Sequence, residues 1–257
     1  MTHVNVCAVT GSASGIGAAI RKRLEAEGTR IIGVDVRDAE VLADLASHEG
    51  RARAVSEVLE RCGGCLDQLV VCAGIGAHSR PPSRVAAVNY FGAVDLLDGL
   101  FPALRQAATP AAIAMCSNSA QMAPLDEHPY VLALLAHDEA GAARTIDAES
   151  SILAYLGSKH ALARAVRRRA SSWGRAGVRL NAIAPGPVRT PLLEGDLDDP
   201  VTGAAIRKLS IPLGRMGEPD EVAELAAFLL GPKASWIHGG VYYIDGGNDA
   251  EIRPDRF

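Results

Sequence analysis

Short apolar runs alternate with longer stretches of mixed polarity along this chain of 257 residues. The runs at 4–9, 30–35, 69–72, 111–116, 178–184 and 241–244 are rich in Val, Ile, Leu and Ala, and they predict buried strands. Between them, apolar positions recur at helical spacing, predicting helices over 15–27, 51–61, 83–104, 155–173 and 221–230. Alternating strands and helices make a parallel sheet covered on both faces. Residues 37–50 are polar and compact, and 185–200 read as a proline-rich loop. One stretch breaks the rhythm. Residues 119–151 are rich in Ala, Leu and acids, and a structureless loop of that length is unusual inside a domain. They are expected to form an inserted helix, centred on 130–146, with flanking loops. No repeat, linker or long low-complexity segment is visible, so residues 1–257 are expected to be one domain.

The first strand runs straight into Thr10-Gly11-Ser12-Ala13-Ser14-Gly15-Ile16-Gly17, which opens the first helix. Gly11 suits a tight turn, Gly15 a close approach of backbone to a pyrophosphate, and Gly17 close packing of helix on strand. The free N–H groups of the helix start, around Ser14, Gly15 and Ile16, suit phosphate oxygens. A glycine-rich stretch alone is a weak signal, but strand before and helix after is the required context. The expected fold is therefore a single-domain, Rossmann-type, doubly wound α/β sheet with an inserted helical segment. Asp35 closes the second strand, 18 residues after Gly17, where a carboxylate can accept hydrogen bonds from the adenosine ribose and repel a 2′-phosphate. Ser14 adds no positive charge. Arg37 is near enough to pair with a phosphate, so NAD is favoured over NADP without NADP being ruled out.

Tyr155 and Lys159 are four residues apart in a helical stretch and therefore share a face. A cation beside a phenol favours the phenolate, predicting a Tyr155 pKa below its ordinary value of about 10. Such a group can exchange a proton with an alcohol or a carbonyl near neutral pH.

These elements resemble the short-chain dehydrogenase/reductase family. The resemblance rests on the glycine turn, Cys72-Ala73-Gly74, Val88-Asn89-x-x-Gly92, Ser117, the Tyr155/Lys159 pair, Asn181-x-x-x-Pro185-Gly186, Thr190 and Asp245-Gly246-Gly247. It runs from residue 10 to residue 247. Within the family it points to the hydroxysteroid dehydrogenase/carbonyl reductase branch, through Asp35-Val-Arg-Asp-Ala-Glu40, Asn89-Tyr-Phe-Gly92, the insertion, and the ending Arg253-Pro254…Phe257. The resemblance implies an NAD-dependent enzyme interconverting a secondary alcohol and a ketone on a small lipophilic substrate. An aryl or coniferyl-type alcohol dehydrogenase is the alternative, and an inactive dinucleotide sensor a remote one. It implies Tyr155 as acid/base, Lys159 as the group that lowers its pKa and holds a ribose, and Ser117 as hydrogen-bond partner of the substrate oxygen. Asn89 would hold a water leading from Lys159 to solvent. Thr190 and Val188, after Pro185-Gly186, would meet the nicotinamide carboxamide, Asp44-Leu45 the adenine, and Ala73-Gly74 a ribose. Two positions depart from the pattern. Val71-Cys72 replaces a usual Asn-Asn, and Ser117 lies 38 residues before Tyr155, where about a dozen is usual. The insertion fills that gap and leaves Ser119 open as an alternative serine.

Composition narrows the rest. A net charge of −4 argues against nucleic acid as a partner, and Arg167-Arg168-Arg169 reads as a solvated helix face. No apolar run reaches the roughly 18 residues of a membrane span, and Met1–Asn5 lacks a signal-peptide layout, so a soluble, cytoplasmic protein is expected. Five cysteines without framework spacing suit reduced thiols, and Cys62-Gly63-Gly64-Cys65 reads as a helix stop. The histidines (His3, His48, His78, His128, His137, His160 and His238) show no ligand spacing, so no metal is expected. Leu192, Leu193, Ile206, Met122 and Pro124 are candidate walls for a lipophilic substrate, though the same residues would serve equally as core. The segment 186–213 is the expected substrate loop, its Pro and Gly residues suiting a lid. The insertion precedes the Tyr/Lys helix and would cover a pairing surface. A homodimer formed around Trp236–Ile244 is expected in place of a homotetramer.

Overall fold

The computed structural model describes residues 4–256; His3 and Phe257, cited above, lie outside them. Seven parallel strands form one sheet, with spatial order β3-β2-β1-β4-β5-β6-β7. They are β1 (Val6–Thr10), β2 (Arg30–Asp35), β3 (Val41–Leu42), β4 (Gln68–Val71), β5 (Ala111–Met115), β6 (Arg179–Pro185) and β7 (Val241–Ile244). The central strands are continuous apolar runs with no polar face, as a sheet covered on both sides requires. One face is covered by α1 (Gly15–Glu25) and α10 (Pro219–Leu230), where Ile20, Leu24, Ala226 and Leu229 are buried against Cys7, Val9 and Ile113. The other carries α2 (His48–Cys62), α4 (Gly92–Leu104) and α7 (Ser151–Arg175), with Phe91, Leu97, Leu100 and Val166 in its core. The strand order reverses between β1 and β4, and in such sheets the crevice at the strands' carboxyl ends there is the natural ligand site.

Four expectations need correction. The polar stretch 37–50 contains β3, a two-residue strand whose Val41 is fully buried beside Val34. The helix expected over 83–104 is α3 (Pro82–Ala86) and α4 joined by a wider, π-type turn at Ala87–Phe91. The insertion holds two helices, α5 (Pro129–Leu135) and α6 (Glu139–Ile146), rather than one. His137 takes a left-handed backbone conformation between them, and the Asp138 carboxylate caps α6 by accepting from the Gly141 N–H at 2.8 Å. The stretch 185–200 is not a loop. Thr190 and Asp199 cap α8 (Pro191–Asp198) and α9 (Pro200–Ile206), each with proline at its first position. Those prolines look like helix breakers in sequence but occupy the one helical position where a missing N–H costs nothing.

The insertion docks on the back of α7. Tyr130 is fully buried and its hydroxyl donates to the Ala154 carbonyl at 3.1 Å. Its ring lies over Gly157, where a Cβ would come within 2.7 Å of two ring carbons. The glycine between Tyr155 and Lys159 thus leaves room for the insertion. The Ser150 hydroxyl caps α7 by accepting from the Leu153 N–H at 3.2 Å, which starts this helix four residues before Tyr155. Cys62-Gly63-Gly64-Cys65 ends α2, with Gly63 and Gly64 both left-handed. Among the described residues no helix is long and apolar enough to cross a membrane, and no cluster of His, Cys, Asp or Glu is placed to hold a metal.

Candidate active site

A cavity of about 610 Å³ lies at the carboxyl ends of the strands. Every predicted cofactor-facing residue lines it, from the glycine turn through Asp35, Asp44, Leu45, Ala73, Gly74 and the Pro185–Thr190 stretch. Ser117, Tyr155 and Lys159 line it as well. Asn89 sits just behind the wall.

At one end is a cradle of backbone. Gly11 has a φ of +69°, and a Cβ there would stand 2.8 Å from the Ala73 Cα. A Cβ on Gly17 would collide with the Gly11 carbonyl. Ser14 precedes α1 in an extended conformation without a side-chain cap, and the first turn of α1 holds no acidic residue. Its N–H groups and the positive end of its dipole are therefore open to an anion. Asp35 closes the cradle. Its Oδ2 accepts from the Ala13 N–H at 3.0 Å and its Oδ1 from the Val36 N–H at 2.7 Å, so one carboxylate orients the glycine turn and faces the cavity. A backbone nest, a helix start and a carboxylate beside it fit a dinucleotide with a free ribose diol.

At the middle of the cavity stand the polar side chains. Tyr155 is half-buried, and Ser117 is the serine that acts on its phenol, drawing its pKa down. The Ser119 hydroxyl, in the same wall, is buried without a partner, and the Ser119 N–H donates to the Ser117 Oγ at 3.2 Å. Lys159 is buried, its Nζ donating to the Met115 carbonyl at 2.8 Å and lying 5.9 Å from the centre of the Tyr155 ring. The fully buried Asn89 carboxamide closes on Ile75, accepting from its N–H at 2.8 Å and donating to its carbonyl at 3.0 Å. Gly74 stands between Asn89 and Lys159, within 3.3 and 3.6 Å of their polar atoms for a Cβ placed there.

The expected lowering of the Tyr155 pKa is not found in the protein alone. Burial pushes the phenol up to about 12, and the Ser117 hydrogen bond opposes it only in part. Asp196 and Cys116 push it further up. Lys159 is itself held below the usual lysine range by burial. At both groups desolvation of the charged form is the largest cause.

The far end of the cavity is apolar. Met122, Leu192, Leu193 and Ile206 line it, together with Ile152, Leu156 and Leu209. Pro124 is exposed and lies outside it, because the 3₁₀ turn Asn118–Gln121 carries the chain away from the wall. Thr190 is buried with its hydroxyl held inside the lid, donating to the Val188 carbonyl and accepting from the Leu193 N–H, both at 3.2 Å. Two lining or adjacent residues have no signal in the sequence. Asp196 looks like one more acid in an acidic run, and His78 like a loop histidine, yet they meet across 118 residues at 2.8 Å.

A profile described as enoyl-(acyl carrier protein) reductase matches residues 11–249. The chain is 48% identical over 257 residues to the 3-alpha-hydroxysteroid dehydrogenase/carbonyl reductase of Comamonas testosteroni, covering 99% of this chain and 100% of that protein. It is 31% identical to the coniferyl-alcohol dehydrogenase of Pseudomonas sp. (strain HR199 / DSM 7063), over 93% of this chain and 94% of that one. The solved structure of the 3-alpha-hydroxysteroid dehydrogenase from Pseudomonas sp. B-0831, complexed with NADH, superposes with a TM-score of 0.96 at 48% identity, covering 98% of this chain and 100% of that one. With the parallel seven-stranded sheet, the glycine cradle at its switch point and the Tyr/Lys face on α7, these similarities establish that the chain belongs to the short-chain dehydrogenase/reductase family of oxidoreductases.

Proposed function

We propose that this protein is an NAD-dependent oxidoreductase interconverting a secondary alcohol and a ketone on a lipophilic substrate of the hydroxysteroid class, with an aryl or coniferyl-type alcohol as the alternative. The observation that carries the reading is the continuity of one cavity. It runs from a pyrophosphate cradle, past Ser117, Tyr155 and Lys159, to an apolar chamber. The near-complete similarity to a hydroxysteroid dehydrogenase/carbonyl reductase supports the substrate class. The NADH in the similar solved structure supports the cofactor. The cradle, Asp35, Asp44, Leu45, Ala73 and Gly74 would hold the adenosine diphosphate half. Lys159, Pro185, Gly186, Val188 and Thr190 would hold the nicotinamide half. When bound, NAD supplies the hydride acceptor or donor, and its oxidised ring adds a positive charge that favours the Tyr155 phenolate.

The chain's own groups handle the proton. Tyr155 Oη takes the hydroxyl proton in oxidation and returns it to the oxygen in reduction. Ser117 Oγ donates to the same oxygen as charge develops on it. Lys159 and Asn89 line the way from that phenol toward the interior side of Gly74. The whole chain acts as one catalytic domain, with 119–151 as an insertion and 186–213 as the segment over the substrate. The test is absorbance at 340 nm with NAD and NADP against androsterone, coniferyl alcohol and simple aryl carbinols. NAD reduction by the steroid is expected. Turnover of coniferyl alcohol alone would favour the alternative reading, and tight NAD binding with no turnover the sensor reading.

We further infer a homodimer paired through the Trp236–Ile244 edge. Trp236 is 97% exposed, a large apolar side chain that a monomer would leave in water. The insertion covers the outer face of α7, removing that surface from pairing. Light scattering should give a dimer mass for the protein and a monomer mass for Trp236→Glu. A tetramer, or an unchanged Trp236→Glu mass, rejects this interface.

A further inference from the structure

We propose that His78 and Asp196 form a latch that holds the α8–α9 lid over the apolar end of the cavity, with the insertion as its fixed side. The proposal rests on the reading of that cavity end as the substrate site.

The acidic run of α8 holds Glu194, Asp196 and Asp198, and among them Asp196 is buried, 5% exposed. A carboxylate leaves water only where hydrogen bonds receive it. Here His78 supplies both. Asp196 Oδ1 accepts from the His78 backbone N–H at 2.9 Å and lies 2.8 Å from the ring Nδ1. The two sides interlock through glycines on opposite strands of the contact. A Cβ on Gly76 would stand 2.6 Å from Asp196 Oδ1, and a Cβ on Gly195 would stand 2.8 Å from His78 Cε1. Neither glycine has a left-handed backbone, so the space itself is what these positions provide.

The His78 loop is tied down from the other direction. The Ser151 hydroxyl, at the start of α7, donates to the Ser79 carbonyl at 2.9 Å. The Asp147 carboxylate, in the insertion, accepts from the Ser83 N–H at 2.8 Å. Arg80 Nη1 donates to the Ala77 and Ser79 carbonyls, bracing the loop itself. The path from insertion to lid therefore runs Asp147 and Ser151, loop 76–83, His78, Asp196. The cradle meets the lid at its first turn, where a Cβ on Gly15 would stand 3.2 Å from Thr190 Cγ2. Asp196 also lines the cavity and acts electrostatically on Tyr155, so the latch closes at the chemistry and not at a remote edge.

His78 is thus a positioning residue, and its loss should loosen the lid around Asp196 more than at its cofactor-side start, where Thr190 keeps its own bonds to Val188 and Leu193. His78→Phe keeps a ring against Gly195 and removes the Nδ1 donor. Hydrogen bonds to charged groups contribute enough that the Michaelis constant for the alcohol should rise about tenfold or more, with the value for NAD rising by much less. Amide exchange over 191–206 should speed up in the same variant, in the NAD complex and without substrate. His78→Asn places an amide donor where Nδ1 stood and should restore most of both readouts. Ser151→Ala should move both in the same direction by less. If His78→Phe does not fold, Asp196→Asn supplies the exchange measurement with the shape of the side chain kept.

Unchanged exchange over 191–206 in His78→Phe overturns the latch. So does a parallel rise in both Michaelis constants, or failure of His78→Asn to restore the lid, since either marks a general packing role. The exchange readout needs no substrate. Faster exchange in a protein that oxidises nothing on the panel would uphold the latch and reject the substrate reading alone.

Discussion

Tyr155→Phe will lower turnover by about 10²–10⁴-fold while leaving NAD affinity nearly unchanged, because general acid–base catalysis contributes about that much. The substitution removes one oxygen from a half-buried ring and keeps its packing. The Ser117 hydroxyl in the same wall keeps the Ser119 N–H as its partner at 3.2 Å, so the change does not strand it. Stopped-flow turnover with calorimetric NAD titration separates the two effects, and activity above about a tenth of the parent's rejects Tyr155 as the acid/base. The pH profile carries a sign. Burial holds the phenol above its ordinary value, up to about 12 in the protein alone, so near neutral pH the group is protonated. Oxidation needs the phenolate, so its kcat/KM should climb with pH toward the phenol's pKa in the complex. Reduction needs the phenol and should fall over the same range. An oxidation rate flat from pH 6 to about 10 would place the proton elsewhere.

Asp35→Asn will cut the preference for NAD over NADP by at least about tenfold, chiefly through a gain in NADP. Like-charge contact between a carboxylate and a 2′-phosphate costs several kcal/mol, about 1.4 per factor of ten, which predicts at least about 10²-fold preference in the parent. Asparagine retains an oxygen to accept from the Ala13 N–H, now 3.0 Å from Asp35 Oδ2, so the glycine turn keeps its orientation. The change removes the charge and, with it, the acceptor of the Val36 N–H while keeping the turn's bond, and Arg37 in the same wall is left to meet the phosphate. The ratio of kcat/KM for the two cofactors is the readout. An unchanged ratio would move the choice of cofactor away from Asp35.

Much of this architecture is legible in one dimension. Strand runs such as 30–35 and 241–244 coincide with the strands observed, because apolar residues bounded by turns have few other uses. The glycine turn is readable because its residues are adjacent in sequence and its geometry is backbone geometry. The stretch 185–200 is misread because proline and glycine mark both loops and helix starts, and only the caps Thr190 and Asp199 decide between them. The break of the insertion into two helices turns on one residue, His137, in a conformation the sequence does not announce.

What the sequence by itself determined is what depends on neighbours along the chain. That covers the alternation that makes a doubly wound sheet, the turn that opens α1, and the helical spacing that puts Tyr155 and Lys159 on one face. What only the tertiary structure decided depends on neighbours brought from afar. It set Ser117 to act on the Tyr155 phenol and left the Ser119 hydroxyl without a partner, although both serines stand in the same cavity wall. It reversed the expected shift of the phenol, because burial is a property of the whole fold and outweighs one cation 5.9 Å from the ring centre. It also joined His78 to Asp196 across 118 residues, a contact that no local pattern encodes, since two short polar segments meet only once the sheet has set their positions.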